Sequence, residues 1–210
     1  MTAEALTARL RSATRPLHAA AERAGLMGAL LAGRADRAGY ASLLRNLHAL
    51  YAALERALRA HDRSPLVGPL AMPALSRTDA LRTDLDAVGG AGWSEMPIVP
   101  AMCEYVAHVD ALARREPARL GAHAYVRYLG DLNGGQALRE VVQRALPIEG
   151  GRGLAFYDFG PPQAVDDLAH RFRRALDALP LSAVQADAFV AEAKGAFERH
   201  IRVFEELARP

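Results

Sequence analysis

A chain of 210 residues with 51% apolar content carries enough hydrophobic surface for one buried core, and residues 1–210 read as a single domain. The formal charge of +2 spreads 26 basic residues among 24 acidic ones with no arginine block or aromatic interleaving, which argues against a nucleic-acid surface. The one cysteine, Cys103, rules out an internal disulfide and fits no metal spacing, and no apolar stretch reaches bilayer length, so a soluble, cytoplasmic monomer is expected.

Helical periodicity runs almost throughout without strand alternation, so the fold class is all-α with seven or eight helices. The first spans about Ala3 to Ala24, with Leu6, Leu10, Ala13, Leu17, Ala21 and Ala24 as its core stripe and Arg11, Arg15, His18 and Glu22 on the shoulder. Pro16 removes a helical donor and predicts a kink, or a fresh start capped by Thr14. A small element at Leu26–Leu31 precedes a strongly amphipathic helix from Arg37 to Ala60, whose leucines and Tyr51 recur at helical spacing. Ser64–Pro73 reads as a loop, Ala74–Val88 as a shorter helix ended by Gly89–Trp93, and Pro100 as the first residue of a helix running to Arg115. Pro117 opens a long helix that ends near Leu146 and Pro147. The loop Glu149–Pro162 carries Leu154, Phe156, Tyr157 and Phe159, which should tuck onto the core, and two helices, Gln163–Ala178 and Ser182–Ala208, close the chain.

The long helix holds the anomaly. Gly130, Gly134 and Gly135 stand where alanine or leucine would be expected, at a cost of about 2–3 kcal/mol in helix propensity. At about 100° per residue, Arg127, Gly130, Asp131 and Gly134 share one side, while Tyr125, Leu129, Leu132 and Gln136 form an ordinary core stripe opposite. Bare backbone beside one carboxylate suits a flat, bulky ligand. A very close helix crossing is the structural alternative.

His18 has no second histidine four residues away, so local spacing builds no zinc site. One imidazole facing a glycine-lined surface suits an iron porphyrin, whose tetrapyrrole supplies four ligands, and nearby arginines could pair with propionates. Read alone, a lone histidine on a helix shoulder is more often merely a solvated or hydrogen-bonded residue. The stretches Leu10–Glu22 and Ala122–Gln136, with the string Leu-Gly-Asp-Leu-Asn-Gly-Gly-Gln at 129–136, resemble the heme oxygenase family. The likeness extends in order through Tyr51–Glu55, Pro100–Met102, Gly153–Phe156, Glu192–Phe197 and Phe204–Leu207.

The resemblance implies a helical bundle with heme b sandwiched between a proximal and a kinked distal helix. It matches His18 to the proximal iron ligand, with Glu22 its neighbour one turn on. Gly130 and Gly134 match the distal glycines, and Asp131 the carboxylate that positions water delivering protons to bound dioxygen. Arg11, Arg15, Tyr125 and Arg173 fall at propionate contacts, and Arg127 and Gly135 among the heme-binding positions. Arg11 and Arg15 replace the lysines common in the animal enzymes, and Asn133 replaces a frequent serine, a change expected to alter hydrogen bonding to the distal water. The implied reaction converts heme, with O2 and outside electrons, to biliverdin, carbon monoxide and ferrous iron.

No nucleotide-binding glycine fingerprint follows a strand, so a ferredoxin, flavodoxin or reductase is the implied electron donor. No apolar anchor follows Pro210, so no membrane tether is expected. The second reading is a heme-binding protein that stores, delivers or senses heme. A third is a helical protein that binds another flat ligand. His48, His61, His108, His123, His170 and His200 read as surface or structural residues, the methionines as core filler, and Cys103 as a buried inert thiol.

Overall fold

The computed structural model describes residues 4–146 and 149–209. Among these residues the structure is helical, with no strand. The helices are α1 (Leu6–Arg23), α2 (Gly25–Leu31), α3 (Arg37–Ala60), α4 (Thr78–Val88), α5 (Pro100–Arg115), α6 (Leu120–Ala124), α7 (Gly130–Ala145), α8 (Pro162–Asp177) and α9 (Ala183–Leu207). A π-helical turn, Tyr125–Leu129, joins α6 to α7 without leaving helical dihedrals, so these two form one interrupted rod. Pro147, expected near its end, lies outside the described residues.

Core formation follows the apolar stripes. Leu43, Leu44, Leu47, Leu50, Tyr51, Leu54 and Leu58 of α3 are all buried, and α3 packs on α4 and α5. The helix α9 runs against α1, α2, α5 and α6, making it the element on which the two walls of the site are hung. Its start is fixed by a capping box, in which Ser182 accepts from Gln185 N and the Gln185 side chain accepts from Ser182 N. By contrast, only Leu10 and Ala21 of the six-residue stripe expected for the first helix are buried.

Pro16 neither restarts the helix nor follows a cap. It sits within a continuous α1, exposed to solvent, and Thr14 is buried with its hydroxyl donating to Leu10 O at 2.8 Å. The Ser64–Pro73 loop contains a 3-10 turn, Gly68–Leu70, and the predicted helix from Ala74 is a second 3-10 turn, Pro73–Leu75, before α4 begins. The start of α4 is capped from another helix. Buried Glu55 of α3 accepts from Arg77 N at 2.5 Å and from the Thr78 hydroxyl at 2.7 Å.

The aromatic segment does tuck inward, with Leu154, Phe156, Tyr157 and Phe159 all buried. Asp84 pins it by accepting from Ala155 N and Phe156 N, both at 2.7 Å, and Tyr40 donates to Gly153 O at 2.8 Å. Cys103 is exposed rather than buried, on the solvent side of α5.

Two glycines fix close approaches. Gly25, at φ +39°, opens α2 directly after the break from α1, and a Cβ there would clash with Phe204 O on α9. At Gly121 on α6, a Cβ would come within 2.6 Å of Leu70 Cδ1 and 2.8 Å of Phe189 Cε2. Gly121→Ala is therefore expected to destabilise the fold by about 1–3 kcal/mol through overpacking, measurable by denaturant unfolding.

Candidate active site

The rod α6–π–α7 and the pair α1–α2 face one another across a cleft whose free space, open mouth included, is about 810 Å³. His18 and Glu22 of α1 line one wall, while Arg127, Gly130, Asp131 and Gly134 line the other, as their shared helical face requires. Phe197, His200 and Phe204 of α9 border the same space.

A Cβ built on Gly130 or Gly134 would meet nothing within 4 Å, so neither glycine serves a close helix crossing. The missing side chains leave open space in the cleft. Gly135 is different. Its missing Cβ points to Tyr157, where it would make an ordinary van der Waals contact 3.7 Å from Cδ1, and it does not line the cleft. Gly130→Ala is accordingly expected to stabilise the ligand-free fold by about 0.5–1 kcal/mol, seen as a higher Tm, while weakening occupation of the cleft.

His18 is half-exposed, with Nδ1 3.6 Å from Glu22 Oε1 and its ring edge-on to Phe197 at 5.8 Å. Its ring is held loosely and remains available to a ligand. Arg11 and Arg15, two turns and one turn earlier, are exposed and have no ion-pair partner among the described residues. Neither lines the cleft. Tyr125 is also off the wall. It is half-buried, its hydroxyl 3.5 Å from that of Thr14, and so joins the π turn to α1 close to His18.

The distal wall is backed by a buried polar triangle. Arg127 donates from Nη2 to Asp131 Oδ1 at 2.6 Å and from Nε to the Tyr51 hydroxyl at 3.1 Å, and that hydroxyl donates to Asp131 Oδ2. Burial raises the Asp131 carboxyl above the ordinary carboxylate range, and the Arg127 charge holds that rise back. Burial lowers the Arg127 pKa, but Asp131 and Tyr51 more than offset it, so the guanidinium is held firmly charged. Tyr51 in turn meets Phe156 edge-on at 5.7 Å, so the aromatic segment pinned by Asp84 props the triangle from behind.

Arg173 does not line the cleft. Its Nη2 donates to Asn133 Oδ1 at 2.9 Å. Exposed Asn133 thus ties α7 to α8.

Sequence reasoning missed two members of the site. Tyr51 read as part of a leucine stripe, although a hydroxyl in such a stripe requires a partner. His200 read as structural, yet it borders the cleft at 2% exposure with neither ring nitrogen hydrogen-bonded within the protein. Burial, then the Arg127 charge, lowers its pKa well below the usual range, so it is a neutral imidazole with capacity for water or a ligand.

The helical fold thus places bare backbone, a buried carboxylate and a half-free imidazole around one cleft, with room for a flat ligand between the two walls. Comparison with known proteins names the group. The family model described as heme oxygenase matches residues 4–206. Human heme oxygenase 1 is 37% identical over 205 residues, covering 96% of this chain and 71% of the human one, and heme oxygenase 1 of Nostoc sp. is 34% identical over 203 residues, covering 96% and 85%. Heme oxygenase-2 of Synechocystis sp., solved in complex with heme and NO, superposes with a TM-score of 0.93 at 36% identity over 97% of this chain and 85% of that one. The Leptospira interrogans enzyme gives 0.91 at 32% identity over 97% and 100%. The chain belongs to the heme oxygenase family and is a heme-degrading enzyme.

Proposed function

We propose that the cleft binds heme b as both cofactor and substrate, with His18 as the axial ligand of the iron and the Gly130–Gly134 face covering the opposite side. The residues fit the group on three counts. The distal glycines leave the cleft open where side chains would fill it, His18 is poorly engaged by the protein, and His200 has unused hydrogen-bonding capacity. Exposed Arg11 and Arg15 supply cations for propionates, with Glu22 adjusting the His18 imidazole. Arg173 is a cation already committed to Asn133, and Tyr125 supports α1.

Bound heme would supply the iron that activates O2 and the porphyrin edge that is oxidised, giving biliverdin, carbon monoxide and ferrous iron. Asp131 would orient water toward the iron-bound face and hold a proton there. Arg127 and Tyr51 fix its carboxylate so that it need not reorganise during the reaction. The single observation that carries this reading over simple heme storage is that buried triangle behind an open glycine face. Holding a porphyrin requires neither. Electrons would come from a separate small redox protein or reductase, because this all-α chain carries no strand-linked dinucleotide fingerprint. We further propose that residues 1–210 act as one domain in the cytoplasm, as a monomer. The contiguous core supports the first statement, and no described helix is long and apolar enough to cross a membrane.

Hemin added to the purified protein is expected to give a Soret band with an axial-histidine signature, and ascorbate with air should convert it to a verdin absorption. A heme spectrum that persists under those conditions would favour storage or delivery, and no Soret shift would remove heme from the reading.

A further inference from the structure

Outside the residues that line the cleft, three potential metal ligands from three helices converge. His108 of α5, His123 of α6 and Glu192 of α9 each offer one ligand atom, and these atoms all lie within 4.8 Å of one another. Glu192 Oε1 is the shared point, 2.7 Å from His108 Nε2 and 3.1 Å from His123 Nε2.

The surroundings suit an ion. His123 is fully buried, and its Nδ1 lies 2.9 Å from the Tyr105 hydroxyl. Without metal, Nε2–H donates to Glu192 and the hydroxyl donates to Nδ1; with a metal on Nε2 the tautomer reverses and the hydroxyl accepts from Nδ1–H, the outer hydrogen bond usual for metal-bound imidazoles. Glu192 is nearly buried and His108 partly exposed, so an open position faces solvent past His108. Arg119 lies 3.8 Å from the other carboxylate oxygen, Oε2, and 2.8 Å from Glu116. It opposes a bound cation but also confines Glu192 to ligation through Oε1 alone.

We propose that His108, His123 and Glu192 form a binding site for one divalent transition ion of Zn2+ type, separate from the heme cleft. Two imidazoles and one carboxylate with a free fourth position is a recognised donor set for Zn2+. Tetrahedral ligand atoms sit about 3.4 Å apart at bonds of about 2.0–2.1 Å, so the two Glu192–histidine spacings need open by less than about 1 Å as the metal replaces the protons now shared between the rings and the carboxylate. The ion would cross-link α5, α6 and α9. Of these, α6 leads directly into the π turn that carries Arg127, and α9 carries His200, so metal loading would stiffen the frame of the distal wall.

The test needs no heme and so is independent of the heme reading. Tag-free, heme-free full-length protein is titrated with Zn2+ alone by calorimetry, and with Co2+ alone by visible absorption. The expected result is about one equivalent bound with Kd at or below about 10 µM. Tm should rise by about 5 °C at a hundredfold excess over Kd. His108→Ala and Glu192→Gln should each weaken binding at least about tenfold, with His108→Asn as a second, milder variant and circular dichroism to confirm folding. His18→Ala should leave the Zn2+ affinity unchanged. Absence of binding at about ten times that Kd, or one equivalent that the His108 and Glu192 variants retain undiminished, overturns the proposal.

Discussion

Asp131→Asn is expected to lower the rate of heme conversion by about 10²-fold or more while the protein still takes up hemin with its axial-histidine spectrum. The reason is positional. Asp131 lies in the cleft wall with both oxygens committed, one to Arg127 and one to Tyr51, so its role as an acceptor and proton holder is fixed by the fold. Asparagine keeps the shape and one acceptor for Arg127 but cannot carry the proton. Asp131→Ala should show a second effect, because it strands the buried Arg127 charge. Breaking one partner of a buried pair costs about 3–5 kcal/mol, so this variant should also unfold at lower denaturant. Hemin titration, ascorbate-driven turnover and unfolding curves separate the two contributions. Asparagine turnover within a few-fold of the parent would mean that Asp131 only holds Arg127 in place.

His18→Ala is expected to leave stability within about 0.5 kcal/mol of the parent, because the side chain is half-exposed and accepts no buried hydrogen bond. Heme affinity should fall far more. Loss of an outer-shell partner alone costs a metal site about 10–100-fold, so loss of the axial ligand should cost at least about 100-fold. Added imidazole should restore the axial signature by filling the space left beside Phe197. The structure supplies a pointed rival in His200, the other imidazole on the cleft. If His18→Ala keeps an unchanged axial imidazole signal in EPR or resonance Raman and His200→Leu abolishes it, the two histidines exchange roles.

Much of this architecture was legible beforehand because helices advertise themselves locally. The α3 stripe, the Pro100 start of α5, the Ser182 start of α9 and the shared face of Arg127, Gly130, Asp131 and Gly134 all depend on spacing within about one helix. Boundaries slipped where tertiary contacts took over. The first turn of the predicted 74–88 helix is 3-10, and Glu55 from another helix caps α4 at Arg77 and Thr78.

The sequence by itself determined that this is an all-α protein with one glycine-stripped helix, one well-placed histidine and one carboxylate on the exposed glycine face. Tertiary structure alone decided which partners those groups have. Tyr51 reaches Asp131 across 80 residues, His108 and Glu192 meet across 84, and Gly135 faces Tyr157 rather than the cleft. The physical reason is that helical periodicity encodes which face is buried but not what covers it. Hydrogen-bond partners distant in the chain are fixed only when whole helices dock.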